Sequence, residues 1–498
     1  MTAHLSDVAA ALPQAERRGD DVVLVDATHD SRQVGDGWLF CAIRGSSADG
    51  HDHAAQAVAR GASALLVERW LDLPVPQVRV ASVRAAAGPA AAVVHGRPSQ
   101  DLRVVGITGT NGKTTTAYLL EAAFAAAGLG TGVIGTVETR IHGEAQPGVR
   151  TTPEGPDLQR LLRRMYDRGA DTVAMEVSSH GLDLHRVDGT HFAVAVWTNL
   201  SQDHLDWHQT MDAYFAAKAR LFTTAFADRG VVHLDGPWAR RLIERSEVPV
   251  TTVGRDADAD VRIVDERTDV TGSRARLVGA VPAGSADADL DLEVATRLPG
   301  AFNVANAASA LVAAVAAGVP VEAAAAGIAA CPGAPGRLER VDTGQPFAVL
   351  VDYAHTPDAV EQVVTTVRDL LAPGRRVLVV LGAGGDRDRA KRGPMGAAAA
   401  TADVAVLTSD NPRTEDPAAI LDAVVTGARR AVADGARAQI HAEPDRRAAI
   451  AHALGLASPG DVVVIAGKGH ETGQEFADHT VPFDDREVAR EVLSGVTS

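Results

Sequence analysis

The run Gly106-Ile107-Thr108-Gly109-Thr110-Asn111-Gly112-Lys113-Thr114-Thr115-Thr116 leaves the chain few folds to choose from. A short apolar strand candidate, Leu102 to Ile107, leads into it. An Ala/Leu-rich helical pattern, roughly Thr114 to Ala127, leads out and is closed by Gly128. Strand, glycine turn, Gly-Lys-Thr and helix in that order are what a phosphate-binding loop requires. Glycines let the backbone fold tightly enough for several N–H groups to face one phosphate, and the start of the helix adds its positive dipole end. Lys113 reaches the outer phosphates and the Thr114 hydroxyl suits Mg²⁺. The strict motif has glycine where Ile107 stands, so the loop is a variant, Gly-x-x-Gly-x-Asn-Gly-Lys-Thr. The plain alternative is a glycine turn that only joins a strand to a helix.

At 498 residues the chain has room for about three domains. Lys and Arg number 48 and Asp and Glu 64, a net charge of −16, which lacks the basic footprint of a nucleic-acid binder. Cys41 and Cys331 are the only cysteines, so a disulfide framework is excluded and a reducing compartment fits. The start has no basic segment followed by an apolar core, and no apolar run is long enough to span a bilayer. A cytoplasmic protein without membrane insertion is expected.

Residues 1 to about 100 read as a small α/β domain, with strands at Val22–Val25, Trp38–Ile43 and Ala64–Val67 and a helix at Ala54–Arg60. Its polar loops, Asp30-Ser31-Arg32 and Gly45-Ser46-Ser47-Ala48-Asp49-Gly50, read alone as turns. Arg97 to Asp101 reads as a linker into a second domain running to about residue 335. There, a strand from Thr172 ends in Glu176, a carboxylate placed where a nucleotide-bound Mg²⁺ finds a ligand. Another strand, Ala193–Thr198, opens a charged loop carrying His204 and His208. Lys218 follows on a helix from Met211 to Ala219 and reads alone as a surface lysine. Residues 255 to 295 read as a short-stranded ribbon with solvated carboxylates. Asp256, Asp258 and Asp260 lack the glycine and closing glutamate of a calcium loop. Asn303 is a candidate N-cap for the Ala-rich helix ending near Ala317, and Cys331 to Arg337 a hinge-like boundary.

From about 338 onward, strands at Phe347–Val351, Val377–Leu381, Val404–Leu407, Ala438–His441 and Val462–Ala466 alternate with helices, which predicts a doubly wound parallel sheet. Such sheets bind ligands at the carboxyl ends of their strands. Four unusual polar runs fall there: Asp352-Tyr353-Ala354-His355, Gly384 to Arg389, Ser409 to Arg413, and Gly467-Lys468-Gly469-His470-Glu471. A phosphate loop in one domain and a charged pocket in another leave two chemistries open. ATP either phosphorylates a product or activates a carboxylate for attack by an amine.

Gly-Thr-Asn-Gly-Lys-Thr-Thr resembles the ATP loop of the Mur ligases, a family that also includes folylpolyglutamate and cyanophycin synthetases. The similarity to its tripeptide-forming members runs from near the N-terminus to Glu471. It implies an α/β protein of three domains: residues 1–100 for a UDP-sugar, 101–335 for ATP, and 336–498, a Rossmann-like unit, for an amino acid. It further implies ATP, Mg²⁺ and a CO₂-derived carbamate on Lys218. The implied reaction joins meso-2,6-diaminopimelate to the D-Glu of UDP-N-acetylmuramoyl-L-Ala-D-Glu through an acyl phosphate, in peptidoglycan precursor synthesis. Ser31, Ser46, Ser47, Ala48, Thr151, Thr152, Ser178 and Arg186 match positions that hold the UDP-sugar peptide; Leu184 stands where relatives often carry Gln. Glu176, His204 and Lys218 match metal-site and catalytic positions beside Lys113 and Thr114. Asn306, Arg337 and Asp352 match contacts to adenine, outer phosphate and ribose. Arg387, Asp410, Asn411, Pro412, Arg413, Gly467 and Glu471 match the amino-acid site. There a guanidinium suits the second carboxylate that distinguishes diaminopimelate from L-lysine. The plain alternative for Arg413 is a surface pair with Asp416. Rival readings are the L-lysine-adding ligase, folylpolyglutamate synthetase and a regulatory phosphate-loop ATPase.

Overall fold

The computed structural model describes residues 3–45, 48–148, 150–283 and 286–495. The chain divides into two compact units. The first comprises residues 1–265, 275–295 and 305–331; the second comprises 266–274, 296–304 and 332–498. The break between Cys331 and Pro332 falls in the hinge-like run.

The first unit holds two larger sheets, besides a two-stranded pair of Ala3–His4 with Val23–Leu24. A five-stranded one takes the order Glu16–Arg18, Gln77–Arg79, Ala62–Val67, Trp38–Cys41, Asp26–Thr28. It belongs to the N-terminal segment, but that segment does not stand apart. Arg160 of the helix Gly155–Asp167 holds the Asp26 carboxylate at 2.8 Å and the Ala27 carbonyl at 2.6 Å. The expected linker is a short 3₁₀ turn, Pro98–Gln100, with Pro98 and Ser99 buried; Ser99 Oγ accepts from His191 N–H. The run Arg97 to Asp101 is thus anchored through Pro98 and Ser99, while Arg97, Gln100 and Asp101 stay exposed.

The second sheet of this unit has eleven strands, and the strand Arg103–Thr108 lies inside it between Thr172–Glu176 and Val194–Trp197. Both pairings are parallel, and Glu176 stands opposite Ile107. Register alone therefore brings a carboxylate to the start of the glycine loop. Val104, Val105 and Ile107 are fully buried, as a strand covered on both faces demands. The ribbon is not short-stranded: Val261–Asp269, Gly272–Ala283 and Ala286–Thr296 have 9, 12 and 11 residues. Nor are its carboxylates merely solvated. Asp256 and Asp258 clasp Arg240 at 2.8 and 2.9 Å, and Asp260 binds the Thr252 amide and hydroxyl.

The second unit is built on a six-stranded sheet in the order Glu339–Val341, Ala348–Asp352, Val462–Ala466, Val377–Ala383, Val404–Ser409, Gln439–Ala442. Five strands are parallel, and the Glu339–Val341 edge strand, which has no counterpart in the sequence reading, is antiparallel. The last strand in sequence, Val462–Ala466, inserts between the first two parallel ones. The order therefore reverses there, and the loops after Asp352, Ala383 and Ala466 leave from neighbouring strands. Asn303 is not an N-cap. The helix starts at Ala301, and Asn303 Nδ2 donates to the Pro299 carbonyl from inside the first turn.

Candidate active site

Gly109 and Gly112 have φ of 152° and 86°, backbone that side chains avoid, and a Cβ on Gly112 would run into the Asn306 side chain. Gly112 also ends the loop as the cap of the helix Lys113–Ala126, and no side chain caps that N-terminus. The helix start therefore presents its amides to an anion. The loop is strapped to the segment after Trp197. Thr110 N–H donates to the Asn199 carbonyl, Asn111 N–H to Asn199 Oδ1, and Thr198 Oγ1 to the Asn111 carbonyl. The sequence marks that stretch only as the start of a charged loop; its strap geometry has no signature of its own.

Lys113 Nζ turns back onto the Gly109 and Thr110 carbonyls, both at 2.8 Å. Thr114 Oγ1 donates to Glu176 Oε1 at 2.9 Å, and Thr136, which the sequence did not single out, binds both Glu176 oxygens through its amide and hydroxyl. Glu176 is 1% exposed. A hydroxyl and a carboxylate meeting beside a phosphate loop are hard oxygen donors of the kind Mg²⁺ takes. Among the described residues no three His, Cys, Asp or Glu converge on one point. The donor set thus fits an ion that completes its shell with phosphate oxygens and water.

Lys218 is buried and lies on the helix Met211–Ala219, so the surface reading fails. Its Nζ donates to the same Gly109 carbonyl at 2.8 Å and sits 4.8 Å from the Tyr214 ring centroid. Burial, with Lys113 nearby, drives its pKa well below the usual lysine range. His204 has φ of 52° and caps a single turn, Leu205–His208. Its ring lies 4.8 Å from His180, which also touches Trp207 and His208 at 5.0 and 5.6 Å. Burial lowers the pKa of all three histidines. His180 was missed because a lone histidine after a strand carries no pattern.

Four of the residues matched to the UDP-sugar peptide come together. Thr151 Oγ1 meets Thr136 Oγ1 at 3.0 Å, Thr152 Oγ1 donates to the Glu176 carbonyl, and the Ser178 amide donates to Thr152 Oγ1. Arg186 reaches the Thr152 carbonyl and pairs with Glu154 at 2.9 Å, a carboxylate it shares with Arg84 and Arg150. Burial and those two arginines lower the Arg186 pKa. Arg84 is 70 residues from Glu154, so no local spacing reveals this cluster. Ser31 is buried elsewhere, donating to Gln56 Oε1; Ala48 is exposed; Ser46 and Ser47 lie outside the described residues. Leu184 ends the helix Ser179–Asp183 and offers no side-chain polar group.

In the second unit, the Asp352 carboxylate accepts from the Leu338 and Ala354 amides at 2.8 Å, and burial raises its pKa against the pull of Arg337. The Arg337 guanidinium lies 4.6 Å from the Tyr353 ring centroid, and the His470 ring 5.1 Å from it. Burial, then Arg337 and Arg486, bring the His470 pKa down to about 4. Asp410 and Asn411 are buried at the end of Val404–Ser409. Gly467 has φ of 113°, and a Cβ there would crowd the Asp410 carboxylate. Asn411 Nδ2 donates to Glu471 Oε2 at 2.8 Å, and the Asn411 carbonyl takes the Gly385 amide. The fixed ring of buried Pro412 leads into Arg413, whose φ is 52°. Arg413 pairs with Glu475 at 2.7 Å and with the Gly385 carbonyl; Asp416 instead caps the helix Pro417–Ala433. Arg387 is exposed, with no hydrogen bond or ion pair among the described residues.

Comparison with known proteins agrees over nearly the whole length. The signature described as "Mur ligase middle domain" matches residues 107–314, "Mur ligase, glutamate ligase domain" 336–469, and "Mur ligase family, catalytic domain" 27–99. The UDP-N-acetylmuramoyl-L-alanyl-D-glutamate–2,6-diaminopimelate ligase of Streptomyces avermitilis is 46% identical over 99% of this chain and 97% of its own length. The ligase of the same name from Streptomyces coelicolor is 48% identical over 94% and 92%. A solved structure carrying that ligase name is 33% identical, covers 95% of both chains and superposes with a TM-score of 0.70. With three matching signatures, and such identity over such coverage, the chain belongs to the Mur ligase family.

Proposed function

We propose that the chain is an ATP-dependent amide ligase that adds meso-2,6-diaminopimelate to the D-Glu γ-carboxylate of UDP-N-acetylmuramoyl-L-Ala-D-Glu. Residues 1–100 take the UDP-sugar, 101–335 ATP, and 336–498 the amino acid. The observation that carries this reading is the shared contact of Thr114 and Thr136 on Glu176. It joins the phosphate loop to Thr151, Thr152 and Ser178, so the γ-phosphate and the sugar peptide have adjoining residues for their sites. The names of the relatives support the substrates.

The substrate carboxylate attacks the γ-phosphorus, the bond to the β-phosphate oxygen breaks, and ADP leaves. Lys113 exchanges its two loop carbonyls for phosphate oxygens and neutralises charge on the transferring group. Thr114, Glu176, His204 and a carbamate on Lys218 would hold Mg²⁺, which would supply further neutralisation of that charge. Lys218 suits carbamate formation because burial favours its neutral amine, the form that adds to CO₂ with release of one proton. The acyl phosphate is then attacked by the neutral amine of diaminopimelate. The tetrahedral adduct expels phosphate, and the amine proton passes to solvent. Arg186, beside Thr152 and with surplus cationic charge around Glu154, suits the free carboxylate of the D-Glu residue. Asn306, Arg337 and Asp352 serve the nucleotide.

A phosphate-release assay with UDP-N-acetylmuramoyl-L-Ala-D-Glu and a panel of amino acids tests the reading. Release is expected to require both the UDP-substrate and meso-diaminopimelate, with L-lysine nearly inactive. Turnover of ATP with neither substrate present overturns it.

A further inference from the structure

Only four of the 48 basic residues are lysines: Lys113, Lys218, Lys391 and Lys468. Arginine supplies nearly all the cationic surface, so a lysine in this chain marks a place where a compact ammonium is wanted. Lys113 and Lys218 already have places beside the phosphate loop. Lys468 follows the strand Val462–Ala466, is 0% exposed and has no part in the chemistry above.

Its Nζ donates to Asn411 Oδ1 at 2.9 Å and to Glu471 Oε2 at 3.1 Å. The Glu475 amide points at the same Asn411 oxygen at 3.1 Å. Two donors on Oδ1 settle which way the Asn411 amide faces, because a flipped amide would set N–H against N–H. Nδ2 is thereby turned to Glu471 Oε2 at 2.8 Å. Oε2 holds two donors, while Oε1 makes no hydrogen bond among the described residues, and the side chain keeps 32% of its surface open. The site is fully enclosed, and the compact ammonium meets both acceptors from one nitrogen.

We infer that Lys468 is a positioning residue of the amino-acid site: its buried ammonium fixes the Asn411 amide and leaves one Glu471 oxygen aimed outward for the distal ammonium group of the amino acid. The inference rests on the amino-acid reading of Asn411 and Glu471. Lys468 touches no substrate; it acts through the two side chains that do.

Kinetics of the full-length enzyme with Lys468→Met, Glu471→Gln and the double variant test it. Lys468→Met is expected to raise KM for meso-diaminopimelate roughly tenfold to a hundredfold, the usual effect of losing an orienting partner. Its kcat, and KM for ATP and the UDP-substrate, stay within about threefold of wild type. The double variant should be no worse than Glu471→Gln by more than about twofold, since the lysine acts through that carboxylate. A lowered melting temperature and kcat with unchanged KM for the amino acid would mark a purely structural lysine and overturn the inference. Unchanged KM in Glu471→Gln strikes the site reading itself; unchanged KM in Lys468→Met beside a raised one in Glu471→Gln strikes the positioning role alone. If Lys468→Met does not fold, ¹⁵N-lysine labelling of the Lys391→Arg protein leaves three Nζ signals. One that moves with meso-diaminopimelate and not with ATP is expected, and three unmoved signals overturn the proposal.

Discussion

The phosphate loop and the strand-end loops of the second unit each hold a cation, and they hold it differently. Lys113 rests on two backbone carbonyls of its own loop. Arg413 rests on a carboxylate, Glu475, and on one carbonyl. The first site is made of backbone: glycines at positive φ, an uncapped helix start, a strap of amides and carbonyls. The second is made of side chains paired with one another: Asn411 with Glu471, Lys468 with both, Arg413 with Glu475. A neutral carbonyl yields its cation to a phosphate readily, whereas a carboxylate must be out-competed. On the proposed reading, Lys113 is therefore ready for its phosphate, whereas Arg413 has to exchange the Glu475 carboxylate for that of the amino acid.

The largest effect tests the first half of that contrast. Lys113→Ala should lower ligation by about 10³-fold or more, since a preorganised charge facing the transferring phosphoryl group is lost. The fold should survive, because the side chain's hydrogen bonds at Gly109 and Thr110 go to carbonyls of its own loop rather than to the core. Circular dichroism and phosphate release measured on one sample check both points, and wild-type turnover would end the assignment of the loop. Lys218→Ala should lose roughly 10²- to 10³-fold. Formate or acetate, entering the space of the missing carbamate, should restore part of it. Full activity without any additive would show that the buried amine is not used.

How much of each region was legible follows from the same contrast. Backbone sites need particular residues at particular offsets, so Gly109, Gly112, Lys113 and Thr114 stand out in the sequence, and Glu176 follows from strand register. Side-chain networks are assembled across strands. Asn411, Lys468 and Glu475 meet from three separate positions, and Glu154 draws Arg84 from 70 residues away. No spacing rule encodes such meetings. Read alone, Lys218 looks like a surface lysine because its helix carries too little amphipathic pattern to tell which side is buried. The short 3₁₀ turn inside the linker run Arg97 to Asp101 was not legible, because its polar residues give no sign that Pro98 and Ser99 are packed away. The ribbon strands were read short because Gly and charged residues interrupt them, and cross-strand pairs such as Arg276 with Asp291 make up for that.

The second half of the contrast is tested on Arg413. Removing one partner of a charge-assisted contact to a bound ligand costs roughly 2–5 kcal/mol. Arg413→Ala should therefore weaken use of meso-diaminopimelate by tens- to thousands-fold while KM for ATP stays near normal. Wild-type kinetics in that variant, or a wild-type preference for L-lysine, would remove Arg413 from the site.

Glu475→Gln asks the finest question, whether the resident carboxylate competes with the incoming one. Glu475 is half exposed, and ion pairs of that kind contribute about 0–1 kcal/mol. Its backbone amide and carbonyl, which hold Asn411 and the Arg413 amide, are untouched by the substitution. A glutamine keeps an oxygen for the guanidinium but gives up the charge. If the two carboxylates compete, the variant binds diaminopimelate more tightly, by no more than the value of the pair, so KM should fall about two- to fivefold. The gain should shrink at high salt, which screens the surface pair in the wild type as well. L-lysine lacks the second carboxylate, so its use should not change. If instead KM for diaminopimelate rises towards the Arg413→Ala value, Glu475 is part of what aims the guanidinium. The second site would then resemble the phosphate loop in being set before its ligand arrives, by a carboxylate in place of a backbone carbonyl.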